Sequence, residues 1–284
     1  MAEAVANGLG GEVLSADAMQ AYAGLPILTV QPERPTRLVS IWPLTHEGSV
    51  AEYALLAQTQ IDRLLGEGKT PVVAGGTGLY LRAALAELEL PPAPTAELRA
   101  RWTQLYDRLG PERAHATLAG RDPEAAARLH PNDRRRVVRA LELTELGSSL
   151  RPEANRLWTE ETRHPTLVFG LAVPREVLVE RIELRARAMF DDGVVDEARA
   201  ALTQPISGTA VQALGLREVA ELPRDEALAA LVRRTRRYAA YQHKWMRRIP
   251  GLVSVNADRP VDEVAHEIVE MASARQRLPA GRAG

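Results

Sequence analysis

Short apolar runs alternate with longer stretches of helical spacing at both ends of the chain. MAEAVANGLGG reads as the back half of an amphipathic helix, ended by Gly8, Gly10 and Gly11. Glu12–Ser15 then has the character of a buried strand running into a polar Ser-Ala-Asp loop. Val50–Leu65 sets Tyr53, Leu56, Ile61, Leu64 and Leu65 at helical spacing and stops at Gly66 and Gly68. Pro71–Ala74 predicts a second buried strand, followed by Gly75-Gly76-Thr77-Gly78 and a helix through about Glu87.

Pro91-Pro92-Ala93-Pro94 marks a boundary. From Thr95 to about Leu150 the pattern is wholly helical. Strand character returns at Thr166–Val173, and helices follow over Pro174–Phe190, Val194–Leu202, Val211–Leu222 and Asp225–Arg248. Leu252–Asn256 predicts a last strand and Val261–Ala274 a closing helix. Strand, glycine turn, helix, repeated, implies an α/β fold with a parallel sheet flanked by helices. The expected organisation is a core domain over 1–94 and 165–276, an all-helical insertion over 95–164, and a disordered tail over 277–284. Ligands of open α/β sheets sit at the carboxyl ends of the strands, which puts Ser15–Gln20 and Gly75–Tyr80 on one rim.

Composition narrows this picture. The 284 residues, 45% of them apolar, suffice for one large core or two modest ones. With no cysteine, disulfides, thiolate metal sites and cysteine nucleophiles are excluded, which fits a reducing cytoplasm. No apolar run approaches the ~18 residues of a membrane span. The N-terminus lacks the basic region of a secretory signal. Net charge is −1, and Lys69 and Lys244 are the only lysines, so basic charge is almost wholly arginine. Arginine's planar fork suits phosphate, but arginine bias also follows from GC-rich coding, so location matters more than count.

Several constellations could carry chemistry, each with a plainer alternative. Asp17, just past a strand end, is placed as a general base or as a turn cap; Gln20 beside it carries an amide of the kind that reads adenine edges. Gly75–Gly78 suits either an anion-binding loop or an ordinary strand–helix turn. Gly66-Glu67-Gly68-Lys69-Thr70 ends like a P-loop, but it has Arg63 where glycine is required and precedes a strand, so it reads as a turn. Arg134, Arg135, Arg136 and Arg139 follow the cap at Asn132 or Asp133 and form either a solvated basic face or a phosphate contact. Between Arg233 and Arg248 lie many basic residues and no acid; Tyr238, Tyr241 and Trp245 are expected on one face, as core packing or as base stacking. Arg175, Arg181 and Arg185 follow the Thr166–Val173 strand and could clamp a diphosphate, or pair with Glu180 and Glu183. The six histidines show no ligand spacing, and no protein-built metal site is expected.

The order of these motifs is more telling than any one of them. S-A-D-A-M-Q, V-A-G-G-T-G-L-Y, H-P-N-D-R-R-R-V-V-R-A-L-E and R-R-T-R-R-Y-A-A-Y-Q-H-K-W together resemble the tRNA dimethylallyltransferases, from about Ala2 to Arg248. The resemblance implies a P-loop-NTPase-like core that moves a dimethylallyl group from its diphosphate to N6 of an adenosine beside the tRNA anticodon. The reacting base would be flipped out of its stack. It implies Asp17 as the base on N6–H, with Thr77 near the reacting centre, and contacts to tRNA from Asp17, Ala18, Met19 and Gln20. Arg99 and the stretch Arg135, Arg136, Val137, Val138 and Arg139 match further tRNA-contacting positions, and Gln212–Arg217 less closely. For the diphosphate the candidates stay Arg175, Arg181 and Arg185, from their place after a strand, with Mg²⁺ held mainly by the substrate rather than by the protein. The partners implied are the tRNA anticodon arm and dimethylallyl diphosphate, for a cytoplasmic monomer that uses no membrane.

The chain also departs from the family pattern. The family opens with a strand and a G-x-T-x-x-G-K-[ST] loop, and neither occurs here, so the first strand and the P-loop are expected to be absent. The family's Gly-Thr-Ala-Lys-Pro run appears as Leu28-Thr29-Val30-Gln31-Pro32. A missing central strand would expose edges that parallel sheets normally cover. Beside an active transferase stand two other readings. One is a tRNA-binding relic impaired in catalysis. The other is a small-molecule kinase of P-loop ancestry, against which the Asp17–Gln20 and His130–Arg139 motifs argue.

Overall fold

A computed structural model describes residues 1–88, 93–150, 159 and 161–277. The chain divides into two compact units, Met1–Glu87 with Leu157–Gly284, and Leu88–Arg156. The expected boundary at 91–94 falls largely outside the described residues, as does the expected tail apart from Arg277. The return to the first unit comes earlier than the sequence suggested. Arg163 donates from its backbone to the Leu85 carbonyl and from its side chain to Asp62, and Arg82 reaches the Glu161 carbonyl. These contacts tie 161–164 to the first unit, although no strand begins until Phe169.

In the first unit, α1 (Ala2–Gly8) leads into β1 (Gly11–Ser15). α2 (Val50–Gly66) is capped by the Ser49 hydroxyl, which accepts from the Glu52 amide at 3.1 Å. It buries Tyr53, Ala57, Ile61 and Leu64, a single i, i+4, i+8, i+11 stripe. Leu56 and Leu65, expected on that face, are exposed because they lie off the stripe. β2 (Thr70–Ala74) pairs with β1 in parallel, from Gly11 opposite Thr70 to Ser15 opposite Ala74. Both strands therefore end at the same rim, where α3 (Gly78–Leu85) begins.

Numbering the second unit's helices α4 to α7, the first unit resumes with β3 (Phe169–Ala172), α8 (Arg175–Asp191), α9 (Val194–Leu202), α10 (Leu216–Glu221), α11 (Arg224–Met246), β4 (Val253–Asn256) and α12 (Val261–Arg277). The helix expected over Val211–Leu222 is broken: a 3-10 turn at Ala210–Gln212 is followed by Gly215 at φ 85°, and α10 starts only after it. Leu231 occupies the space a Cβ at Gly215 would need. α8, α9, α10 and α11 enclose a core of Phe190, Val194, Leu216, Val219 and Leu231. Burying each such side chain is worth about 1.5–3 kcal/mol before entropy is counted.

β3 pairs in parallel with β4, but β2 and β3 are not hydrogen-bonded to each other. The expected parallel sheet is therefore two two-stranded ribbons. Val72 of β2 and Phe169 of β3 pack against one cluster formed by Val5, Val255, Val264, Ala265 and Ile268, so the ribbons share a helical layer. Every residue of β2 is only half-buried, and Leu171 of β3 is 44% exposed. Parallel strands are normally covered on both faces and edges. These two strands are not.

The second unit is wholly helical: α4 (Ala96–Leu109), α5 (Pro111–Arg121), α6 (Pro123–Ala126) and α7 (Arg134–Glu145). Thr95, Asp122 and Asp133 cap α4, α6 and α7 through their side-chain oxygens. Trp102, Tyr106, Leu118, Val137 and Leu141 form its core. No described helix is long and apolar enough to cross a membrane.

Candidate active site

The rim at the carboxyl ends of β1 and β2 holds two loops in register. After Ser15 the chain turns, and Asp17 makes the turn: its Oδ1 accepts from the Met19 amide at 2.9 Å and the Gln20 amide at 3.4 Å. The capping reading of Asp17 is thus realised by one oxygen. Its Oδ2 accepts no hydrogen bond from a described residue. The Ser15 hydroxyl accepts from the Asp17 amide and donates to Gln20 Oε1 at 2.8 Å.

The Gln20 amide is committed inside the protein. Nε2 donates to the carbonyls of Thr29 and Val30, at 3.2 and 2.9 Å, while Oε1 receives the Ser15 hydroxyl. That leaves its donors no free hydrogen for an adenine edge, and makes Gln20 a tie between the turn and the Leu28–Pro32 run. Glu197 of α9 holds the same run from the other side, accepting from the amides of Ile27 and Leu28 at 2.8 Å each. Val30 within this run, and Leu38 and Ser40 after it, have positive φ of 53°, 66° and 53°. A β-branched residue in that region is strained, and Val30 persists there because its carbonyl is pinned.

The second loop, Gly75–Gly78, meets the first. The Thr77 hydroxyl lies 3.4 Å from the Ala18 amide, a long contact, and it brings Thr77 beside the Asp17 turn. A Cβ at Gly75 would overlap the Ala16 carbonyl, so only glycine allows this approach. α11 grips the loop from outside. Tyr238 and Gln242 both donate to the Gly76 carbonyl, at 3.0 and 2.9 Å, and the Trp245 ring stands where a Cβ at Gly78 would come within 2.7 Å.

Burial raises the pKa of the Tyr238 hydroxyl; the hydrogen bond with Thr77 opposes this, and the Asp17 carboxylate adds to it. Burial likewise holds Tyr53, at 0% exposure, well above the usual tyrosine range, with Tyr80 and Asp17 contributing. The Tyr53 hydroxyl donates to the Ser15 carbonyl at 2.8 Å, fixing the strand end from which Asp17 departs. Sequence spacing had grouped Tyr238 and Trp245 with Tyr241. In the structure Tyr241 is 62% exposed, because three residues after Tyr238 carry it about 60° around the helix.

The three arginines of α8 do not act as one group. Arg181 is engaged by Asp258 at 2.8 Å and by the Ala257 carbonyl. Arg175 occupies the first turn, about 15 Å along the helix from Arg185. Arg185 makes no described ion pair. It is open to solvent, yet it stands deep enough among protein atoms for desolvation to lower its pKa.

In the second unit, Arg99 and Arg139 both hold Glu142, at 3.3 and 3.1 Å, and that carboxylate is buried to 1%. Val137 and Val138 are core side chains, whereas Arg135 and Arg136 are exposed, Arg136 lying 3.7 Å from Asp133. Any RNA contact along this stretch therefore falls to the arginines, and the valines support them by packing. The residues sequence reasoning missed are Tyr53, Glu197, Gln242 and the carbonyls of Gly76, Thr29 and Val30. Only Gln242 left a trace, standing four residues after Tyr238 in the basic motif.

Comparison with known proteins agrees with the ordered motifs. The family model described as IPP transferase matches residues 20–249. A tRNA dimethylallyltransferase of Streptomyces coelicolor is 42% identical over 87% of this chain and 82% of its own length. One from Thermobifida fusca is 39% identical over 89% and 83%. Among solved structures, the tRNA isopentenylpyrophosphate transferase of Bacillus halodurans superposes with a TM-score of 0.68 at 30% identity, covering 96% of this chain and 91% of that one. A eukaryotic dimethylallyltransferase acting on tRNA shares the fold, with a TM-score of 0.75 at 22% identity over 97% and 75%. The α/β core with its helical unit, the ordered motifs and these relatives agree: the chain belongs to the IPP transferase family.

Proposed function

We propose that this chain is a tRNA dimethylallyltransferase, taking the dimethylallyl group from its diphosphate to N6 of an adenosine beside the anticodon. The observation that carries the reading is the meeting of the Asp17 turn and the Thr77 loop at the ends of two paired parallel strands. In the transfer, the N6 lone pair forms the new bond to the allylic carbon. The carbon–oxygen bond breaks with its electron pair leaving on the diphosphate, and the N6 proton passes to Asp17 Oδ2. Fixing Oδ1 in the turn orients the other oxygen without a rotamer search, which is how positioning lowers a barrier.

Negative charge develops on the leaving diphosphate, so cationic groups facing it carry much of the stabilisation. On α8 that role fits Arg185 best, since Arg181 is engaged by Asp258; Arg175 stands about 15 Å from Arg185 along the helix. Among the described residues no three His, Asp or Glu side chains cluster as a metal site would require. Mg²⁺ would arrive on the diphosphate and contribute charge neutralisation there, since such an ion keeps most of its ligands from phosphate and water. Ala18 and Met19, with Asp17, would line the flipped base, while Arg99, Arg135, Arg136 and Arg139 would serve RNA from the helical unit, as a monomer.

The test is to incubate the chain with tRNA, Mg²⁺ and dimethylallyl diphosphate and to analyse the digested RNA for N6-dimethylallyl-adenosine. Formation of that nucleoside, abolished in Asp17→Asn, supports the reading. RNA binding without transfer would leave the relic in its place.

A further inference from the structure

The carboxylate of Glu197 is spent on two successive backbone amides rather than on a cation. Oε2 accepts from Ile27 and Oε1 from Leu28, and the group makes no ion pair with a described residue. Successive amides converging on one anion fix both peptide planes, and charge strengthens each bond. The gripped segment is itself closed. Thr29 donates from its amide and its hydroxyl to the Leu25 carbonyl, and the Gln31 amide donates to that of Pro26. Leu25 and Leu28 sink into the core that α8 and α9 line with Met189, Phe190, Val194 and Ala198.

From this segment two glutamines lead to the Asp17 turn. Gln20 donates to the Thr29 and Val30 carbonyls. In return Gln31 Nε2 donates to the carbonyls of Gln20 and Tyr22, at 3.3 and 2.8 Å, and its Oε1 accepts from the Ser40 hydroxyl at 2.8 Å. The Ser15 hydroxyl joins Gln20 Oε1 to the Asp17 amide. Glu197 therefore stands at one end of a run of hydrogen bonds whose other end is the turn that orients Asp17. Its helix follows α8 after only Asp192 and Gly193, the latter at φ 93°. One packed helix pair thus bears both Arg185 and the brace on Asp17.

We propose that Glu197 is a positioning residue for the transfer, fixing the Asp17 turn relative to α8 and so the proton acceptor relative to the departing diphosphate. The inference rests on the proposed reaction and adds a residue that acts through the turn, not on the reacting atoms. A displacement of ~1 Å at a reacting centre can cost about a hundredfold in rate, so a remote brace can govern kcat. An ordinary loop anchor would affect stability alone.

The test compares Glu197→Gln, Glu197→Ala and Val219→Ala with the parent chain. Glu197→Gln keeps the shape but sets an amide donor against an N–H that also only donates. Val219→Ala opens a cavity in the same core without removing a hydrogen bond of the run, and serves as the stability control. Thermal melts rank the variants, and transfer is assayed where all are folded. Both Glu197 variants are expected to lower kcat about ten- to a hundredfold, with KM for RNA and for dimethylallyl diphosphate within about twofold of the parent. Val219→Ala keeps the parental kcat. Hydrogen exchange gives a second readout that needs no turnover. In Glu197→Gln the Met19 and Gln20 amides, both bonded to Asp17 Oδ1, should exchange about tenfold faster, while the Ala16 amide on the Ala74 carbonyl is unchanged. A folded Glu197→Gln chain with parental kcat overturns the proposal, as does a loss of kcat that Val219→Ala matches at equal loss of stability. A parent chain that transfers no dimethylallyl group overturns the tRNA reading instead. Exchange then decides the brace alone: faster exchange at Met19 and Gln20 supports it, and unchanged exchange overturns it.

Discussion

The Tyr238 hydroxyl lies 3.0 Å from the Gly76 carbonyl oxygen and 3.1 Å from Thr77 Oγ1. A carbonyl only accepts, so the single phenolic proton belongs to Gly76, and Thr77 must donate its own proton to Tyr238. The Thr77 oxygen is thereby left as an acceptor beside Asp17. Tyr238→Phe removes both bonds. It is expected to lower kcat of prenyl transfer about tenfold, the effect of losing roughly one well-placed hydrogen bond, with KM for RNA little changed. An unchanged kcat would show that Tyr238 does not orient Thr77.

Two neighbouring glycines should differ sharply. Gly75→Ala drives its Cβ into the Ala16 backbone, which has no rotamer to yield, whereas Gly76→Ala meets the movable end of Gln242. Overpacking of this kind costs about 1–3 kcal/mol, and Gly75→Ala belongs at the upper end or beyond. Urea unfolding of the two variants should rank Gly75→Ala as clearly the less stable.

Val30 offers the opposite change. Its positive φ is strained for a β-branched residue, and asparagine tolerates that region well. Val30→Asn is expected to stabilise the chain by about 1 kcal/mol, since the side chain is 45% exposed and little packing is lost. Calorimetry should show a higher Tm; a lower one would mean that Val30 packs more usefully than its exposure indicates.

Acid should act through Asp62. Hydrogen bonds first from Arg163 and then from His164 hold its carboxyl below the usual aspartate range. A pKa depressed on folding contributes stability that is complete above the unfolded value and is lost as pH falls through the folded one. Asp62→Asn should therefore lower Tm at about pH 5, with the gap to the parent closing well below about pH 4. A constant gap would point to a cause other than charge.

Glu142 tests the helical unit. Removing a buried carboxylate that faces Arg99 and Arg139 leaves their charges without it, and Glu142→Ala should cost about 2–3 kcal/mol. Denaturant melts of the whole chain should resolve this loss. If stability is unchanged, the two arginines find water as good a partner.

Much of the architecture could be read from local pattern, because helices, strands and caps are written in spacing over a few residues. The strands at Gly11–Ser15 and Thr70–Ala74, the helix at Val194–Leu202, the all-helical block and the order of four motifs were all legible this way. So was the family, since its motifs sit in continuous stretches. Tertiary structure alone decided which side chains serve the site. Thr77 and Tyr238 are 161 positions apart, and Glu197 holds the Ile27 and Leu28 amides across comparable distance; no local period carries such pairs. The same holds for exclusion. Gln20 spends its amide on Thr29 and Val30, Arg181 on Asp258, and Tyr241 turns outward where Tyr238 turns in. A sequence states which groups could donate or accept. Which of them are already satisfied depends on what the fold brings within about 3 Å, and that is settled only when distant segments pack.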